Sequence, residues 1–332
     1  MSERDYAATQ KQSIRDRISG AVWGQFVGDA FCLGSHWIYD LGELEQRFPG
    51  GPRGFEEPAA GHYHAGKRPG DLTHYGDGAL LLLRSLQERA RFDASDFGSR
   101  FVSLIESPGY TGYRDHAARD TVANYRAWRD LHPDEAYGYQ DGADDDQPAS
   151  ITRLAPLVAR YFRDSDLAGI VERATRVCQN NERAVAYNLT HAMILQKLFN
   201  GSTLDDAVRH SAEQAAQLGA EGVMLAGQIS AAVAGRDLSV REATLKFGQT
   251  CPLAGSFPAA LQCALHHGDD FGEALRATAA GGGDNAARGA MIGSWLGAVQ
   301  GIQALPAGWC ESLSAGEEIA SGVEWLVRLA EG

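Results

Sequence analysis

The stretch "GGGDNAARGAMIGSWLGAVQG", residues 281–301, sets three glycines and an aspartate directly before a helix of small and apolar residues. Gly289, Ala290, Gly293, Gly297 and Ala298 recur at helical spacing in it. Each glycine inside a helix costs about 0.5–1 kcal/mol, so a packing or site reason is expected for the series. A second segment answers it. Ile14 to Phe31 reads as one apolar helix with Gly20, Ala21, Gly24, Gly28 and Ala30 on the same kind of ridge. Small residues on both let the two backbones approach closely. The expectation is that these helices lie together at the centre of a bundle and that the sequences beside their ends share one cleft.

Helical periodicity dominates the rest. The segments 78–92, 94–106, 116–131, 148–163, 166–178, 181–199, 203–217, 220–234, 256–267, 270–280, 285–303 and 313–331 all read as helices. Capping residues stand before several of them: Asp93, Asp166 and Ser202. Alternating strand patterns are almost absent, and no Pro-, Gly- or Ser-rich linker divides the chain. The sequence predicts an all-α fold, a compact single-domain multi-helix bundle over 1–332 with a central cleft. Two long irregular stretches, 49–75 and 131–148, are where such a domain usually carries function.

With 43 acidic and 30 basic residues the net charge is −13 at pH 7, which disfavours general nucleic-acid binding because no phosphate-neutralising surface is evident. The five cysteines are widely spaced and form no CxxC, so buried reduced thiols are expected. The N-terminus is polar and reads as lacking a signal peptide, and no segment approaches a membrane span. A cytoplasmic protein with a small-molecule ligand, no nucleic acid and no membrane partner is expected. Its oligomeric state is not legible.

Four stretches supply candidate site residues: "GDAFCLGSHWIYD" with Asp29, His36, Trp37, Tyr39 and Asp40; "GDLTHYGDGA" with Thr73, His74, Tyr75 and Asp77; "DDDQPASITRLAP" with Arg153; and "GGGDNAARG" with Asp284, Asn285 and Arg288. Asp77 and Asp284 each follow glycine and precede small residues that open a helix. Two compatible readings stand for both: an N-cap, or a carboxylate presented beside free backbone N–H groups where a hard cation or phosphate can sit. Arg288, four residues after Asp284, forms an intrahelical ion pair or faces an anionic substrate group. His36, Trp37 and Tyr39 form either a packed helix end or a stacking wall for a base or sugar. His62 and His64 have no third ligand at a defined spacing, so no metal pair is assigned to them.

Taken together these motifs resemble the ADP-ribosylglycohydrolase superfamily, which contains the J1 crystallins. "GAVWGQFVGDAF" is similar to the family's opening helix, "HYGDGALLLLRSL" to its Thr-Asp-Asp-Thr segment, "ITRLAPL" to its Arg-hydrophobic-Ala-Pro element, and residues 282–301 to its closing Gly-Gly-Asp-Thr-Asp-Thr helix. "HWIYD", "THYGD" and "GGDN" bring the chain nearest the J1-crystallin branch. The resemblance implies an all-α fold and two Mg²⁺ ions held by paired Asp and Thr side chains. Carried over, that set is depleted. Asp77 and Asp284 match, but Gly76, Gly78, Ala79, Asn285, Ala286 and Ala287 stand where the other ligands belong. His36 replaces a glutamate, and Gln179 and Asn180 replace a Thr-His pair. At most one weakly held Mg²⁺, on Asp77 and Asp284, is expected.

The resulting expectation is a hydrolase acting on a ribosyl or related glycosidic substrate with a degenerate metal site. Asp77, Asp284, His36 and His74 would be catalytic. Asp29, Trp37, Tyr39, Thr73, Tyr75, Asn180, Asn285 and Arg288 would bind a nucleotide- or ribose-containing ligand. Two alternatives stand beside it: a non-catalytic nucleotide-binding or crystallin-like structural protein, and an enzyme of another reaction class that reuses the cleft.

Overall fold

The computed structural model describes residues 12–306 and 308–332; most of the polar N-terminal stretch lies outside them. Among the described residues there are fifteen α-helices and no named strand. They are α1 (Ile14–Cys32), α2 (Leu41–Arg47), α3 (His74–Arg89), α4 (Ala94–Glu106), α5 (His116–Leu131), α6 (Leu154–Tyr161), α7 (Leu167–Arg176) and α8 (Glu182–Phe199). There follow α9 (Leu204–Ala215), α10 (Gly219–Ala234), α11 (Val240–Phe247), α12 (Leu253–His266), α13 (Phe271–Ala280), α14 (Asn285–Gln300) and α15 (Gly316–Glu331). The all-α expectation holds. The short helices α2 and α11 were not read from the sequence.

α1 and α14 form the central pair. A Cβ built on Gly20, Gly24 or Gly28 would stand 2.0–2.1 Å from the carbonyl oxygen of Gly297, Gly293 or Gly289 respectively. The reverse holds for Gly289, Gly293 and Gly297, at 2.0–2.4 Å from the Gly28, Gly24 and Gly20 oxygens. Three glycines on each side therefore bring the two backbones into direct contact, as their spacing predicts. Phe26, Phe31, Trp295 and Leu296 on the flanks of this seam are buried in the core.

The pair positions the cleft. α1 ends at Cys32, and a 3₁₀ turn over Leu33–Ser35 leads to His36 and Trp37. α14 begins beside them. Trp37 N–H donates to Gly283 O at 2.8 Å, and Gly283 N–H returns the bond to Ile38 O at 2.8 Å. Trp37 sits at φ +60°, a left-handed backbone rare for a bulky side chain. Gly282 and Gly283, both at φ +67°, make the matching turn on the other strand of this bridge.

Candidate functional site

Two of the predicted helix caps resolve differently. Thr73, not Asp77, caps α3: its Oγ1 accepts from Tyr75 N–H at 3.1 Å, and Asp77 lies one turn inside the helix. Asp284 stands at the start of α14, but its side chain makes no capping bond. Its backbone N–H goes to Gln249 O at 2.9 Å, and its carboxylate turns inward to accept from Tyr75 OH at 3.0 Å. The free Ala286 N–H of α14 donates instead to His36 Nδ1 at 3.3 Å. Two further caps also differ: Thr203 rather than Ser202 caps α9, and Asp166 makes no capping bond at α7.

Asp284 is the centre of a sealed cluster. Burial pushes its carboxyl up, against the pull of Arg288 and of bonds from Cys251 and Tyr75. His36 Nδ1 lies 3.6 Å from Asp284 Oδ1, both fully buried. Tyr75 packs on His74 at a 3.9 Å centroid separation. Asp77 belongs elsewhere. Its Oδ2 accepts from Lys67 Nζ at 2.9 Å and from Tyr110 OH at 3.1 Å, and it lines a separate cavity of about 430 Å³ with Leu80, Arg84 and Leu104. No bond joins Asp77 to Asp284.

Several predicted ligand-binding residues carry structural bonds. Asp29 accepts from Thr73 N–H at 2.7 Å and Thr73 Oγ1 at 2.5 Å, and burial raises its carboxyl to about 6. Asn285 donates to Ser35 O, Ser35 Oγ and Ala279 O. Arg288, fully buried, donates to Thr278 Oγ1 at 3.2 Å and to Gly282 O rather than pairing with Asp284. Asn180 accepts from Arg176 at 2.6 Å and donates to Asp141.

Trp37 and Tyr39 do face a cavity. It holds about 250 Å³ and is lined also by Tyr63, Tyr113, Asp115, His116, Gln147 and Cys251. Trp37 meets Tyr63 and Tyr113 edge-on at 5.2 and 4.8 Å. Asp115, which the sequence reading did not single out, caps α5 through Ala118 N–H at 2.7 Å. Its other oxygen lies 3.4 Å from His74 Nε2. Burial pushes this carboxyl up, but the bond and charge of His74 and the Ala118 N–H outweigh it and hold it below the ordinary carboxylate range. Its position before the helix "HAARDTV" was the available sequence signal.

His64 also moves into the site. Its ring lies 5.2 Å from His36 and 5.7 Å from His74, stacked on each, and Trp37 covers it at 5.4 Å with 14° between planes. The third partner that the "GHYH" spacing lacks is supplied by other elements. His62 stands outside the trio, its Nε2 donating to His36 O.

These donors do not suit Mg²⁺, which takes oxygen ligands in near-octahedral array. Asp29 is spent on Thr73, Asp77 on a lysine and a phenol, and Asp284 on Tyr75 beside His36. Among the described residues the one group of three His, Cys, Asp or Glu ligand atoms close enough to share an ion is His36, His64 and His74.

Comparison with known proteins gives one consistent answer. A family model described as ADP-ribosylglycohydrolase matches residues 10–332. Crystallin J1A of Tripedalia cystophora is 28% identical over 327 residues, covering 95% of this chain and 97% of that one. The ADP-ribosyl-[dinitrogen reductase] glycohydrolase of Rhodospirillum rubrum is 25% identical over 328 residues, covering 96% and 98%. A solved structure titled "ADP-ribosylglycohydrolase-related protein complex" superposes with a TM-score of 0.68 at 23% identity, over 96% of this chain and 99% of that one, which shows a shared fold.

Proposed function

The chain belongs to the ADP-ribosylglycohydrolase family, and on that premise we propose that it hydrolyses a ribosyl or related glycosidic bond in the aromatic cavity beside Asp115. The observation that carries this reading is the Asp115 carboxylate, held below the ordinary carboxylate range beside His74, in a cavity that Trp37, Tyr39, Tyr63 and Tyr113 line together with His116, Gln147 and Cys251. The aromatic faces suit the base or the sugar ring. A cavity of about 250 Å³ fits a ribosyl group with its immediate substituent rather than a whole dinucleotide.

Glycosidic cleavage passes through an oxocarbenium-like state, and an ionised carboxylate beside the anomeric carbon stabilises it. Water adds to that carbon as the bond to the leaving group breaks, and the proton that the added water gives up passes to the leaving atom. His74, oriented by Asp115, is the group placed to hold Asp115 ionised. Asp284 is a positioning residue acting through Tyr75 and His36. Asp77, neutralised by Lys67, has no part in this scheme.

The test is turnover of ADP-ribosyl-arginine and of simple ribosides by purified protein, with and without Mg²⁺. Asp115→Asn is expected to lower turnover by about 10²-fold or more. Turnover unaffected by Asp115→Asn but abolished by Asp77→Asn would overturn the assignment. A second reading, a non-catalytic binding or structural protein, is favoured by one observation: Asp284 is fully enclosed and already bonded. Ligand binding without turnover of any of these substrates supports it.

A further inference from the structure

We infer that His36, His64 and His74 form a binding site for one divalent transition-metal ion of the zinc type, in place of the oxygen-ligated ions of the resemblance. One ring nitrogen from each residue lies within 4.8 Å of the other two. All three side chains are buried. They come from three separate places: the turn after α1, the loop before α3, and the first residue of α3.

The nitrogens are unspent. His36 Nε2, both nitrogens of His64 and His74 Nδ1 have no hydrogen-bond partner, while His74 Nε2 faces Asp115. A buried polar atom without a partner costs about 1–3 kcal/mol, so four such atoms in one cluster point to something they bind.

A carboxylate stands behind two of the three rings. His36 presents Nδ1 to Asp284 at 3.6 Å, and His74 presents Nε2 to Asp115 at 3.4 Å. Carboxylates behind ligating imidazoles fix the tautomer and raise ligand basicity. His36 Nε2 and His74 Nδ1 are then free to meet the ion with either nitrogen of His64. In the structure His36 Nδ1 accepts from Ala286 N–H; ligation through Nε2 moves the ring proton to Nδ1, which gives up that bond and requires the ring to shift toward Asp284, 3.6 Å away, for Asp284 to accept it.

Tetrahedral zinc with nitrogens at 2.0–2.1 Å places its donors about 3.4 Å apart. The widest spacing allowed here closes to that by roughly 1.5 Å of ring movement. An all-imidazole set selects zinc, cobalt, nickel or copper over magnesium. Three protein ligands leave a fourth position open. Trp37, which packs on all three rings, and Tyr113, which packs on His74, also line the aromatic cavity, so the ion would lie just beneath it.

The inference stands whether or not the protein is a hydrolase, and it is tested without an activity assay. Untagged protein is stripped with a chelator and titrated with Zn²⁺ by calorimetry and with Co²⁺ by visible absorption. One ion per chain is expected, with an intense tetrahedral-type Co²⁺ band and no displacement by millimolar Mg²⁺. His64→Gln and His74→Gln should each weaken binding by on the order of 100-fold, and Asp115→Asn by about 10–100-fold. His132→Gln, on the surface, should not. The thermal transition of each variant, compared with wild type, separates loss of ligand from loss of fold. No stoichiometric binding to the wild-type protein, or equal binding by folded His64→Gln and His74→Gln, would overturn the site.

Discussion

Gly24→Ala probes the α1–α14 seam at its middle. The new Cβ would stand 2.1 Å from Gly293 O and 2.7 Å from Gly293 C, both backbone atoms of a buried helix. Ordinary contact needs about 3.4 Å, so the helices must part by about 1.3 Å, and neither has a side chain at that point that can yield. Between Gly20 and Gly28 the close contact runs for about 12 Å of helix at 1.5 Å per residue. Parting at its centre therefore loosens packing on both sides. Overpacking typically costs 1–3 kcal/mol and here falls at or above the top of that range. The helix-propensity gain of alanine over glycine, about 1 kcal/mol, offsets only part. A net loss of about 2–3 kcal/mol is expected. Gly227→Ala in α10 is the internal control, since nothing lies within 4 Å of its added Cβ; it should gain up to about 1 kcal/mol. Urea denaturation midpoints of the two variants against wild type are the assay. Gly24→Ala as stable as Gly227→Ala would refute the seam.

Other outcomes follow from single groups. Tyr75→Phe removes the hydroxyl that donates to buried Asp284 and should destabilise by about 1–3 kcal/mol, read from the same denaturation curves; no change would mean that the Tyr75 bond does not hold Asp284. Asp96 is buried, yet bonds from Ser85, Arg100 and Arg89 outweigh burial and hold its carboxyl below the ordinary value. Its contribution is therefore present above about pH 4, where the unfolded carboxyl is ionised, and is lost as pH falls through the lower folded value. The stability gap between wild type and Asp96→Asn should shrink as pH falls below about 4, and a gap that stays constant would contradict this.

The central seam was legible because glycines repeated at i, i+4 weaken a lone helix and suit direct backbone contact, and both ridges appear in the sequence. α2 and α11, seven and eight residues long, are too short for periodicity to mark. The cap readings at Asp77 and Asp284 failed for a tertiary reason. Thr73 took the first cap, and the left-handed turn at Gly282 and Gly283 aims Asp284 at Tyr75 while His36 serves the helix start. The aromatic wall at Trp37 and Tyr39 was legible as a local cluster. His64 was not, because it meets His36 and His74, 28 and 10 residues away in sequence, only in the folded chain. Arg288 and Asn285 looked like ligand-binding groups; their partners are backbone carbonyls and hydroxyls that spacing does not reveal.

The proposed working site lies at Asp115 under the aromatic wall, and oxygen-ligated Mg²⁺ has no place in it. Calorimetric titration of ADP-ribose and of ribose-containing fragments into chelator-treated protein tests this directly. The expected result is binding that Mg²⁺ does not strengthen, that Asp115→Asn weakens at least tenfold, and that Asp77→Asn leaves within about twofold, since a tenfold change corresponds to about 1.4 kcal/mol. Binding that requires Mg²⁺ and is lost with Asp77→Asn would contradict it.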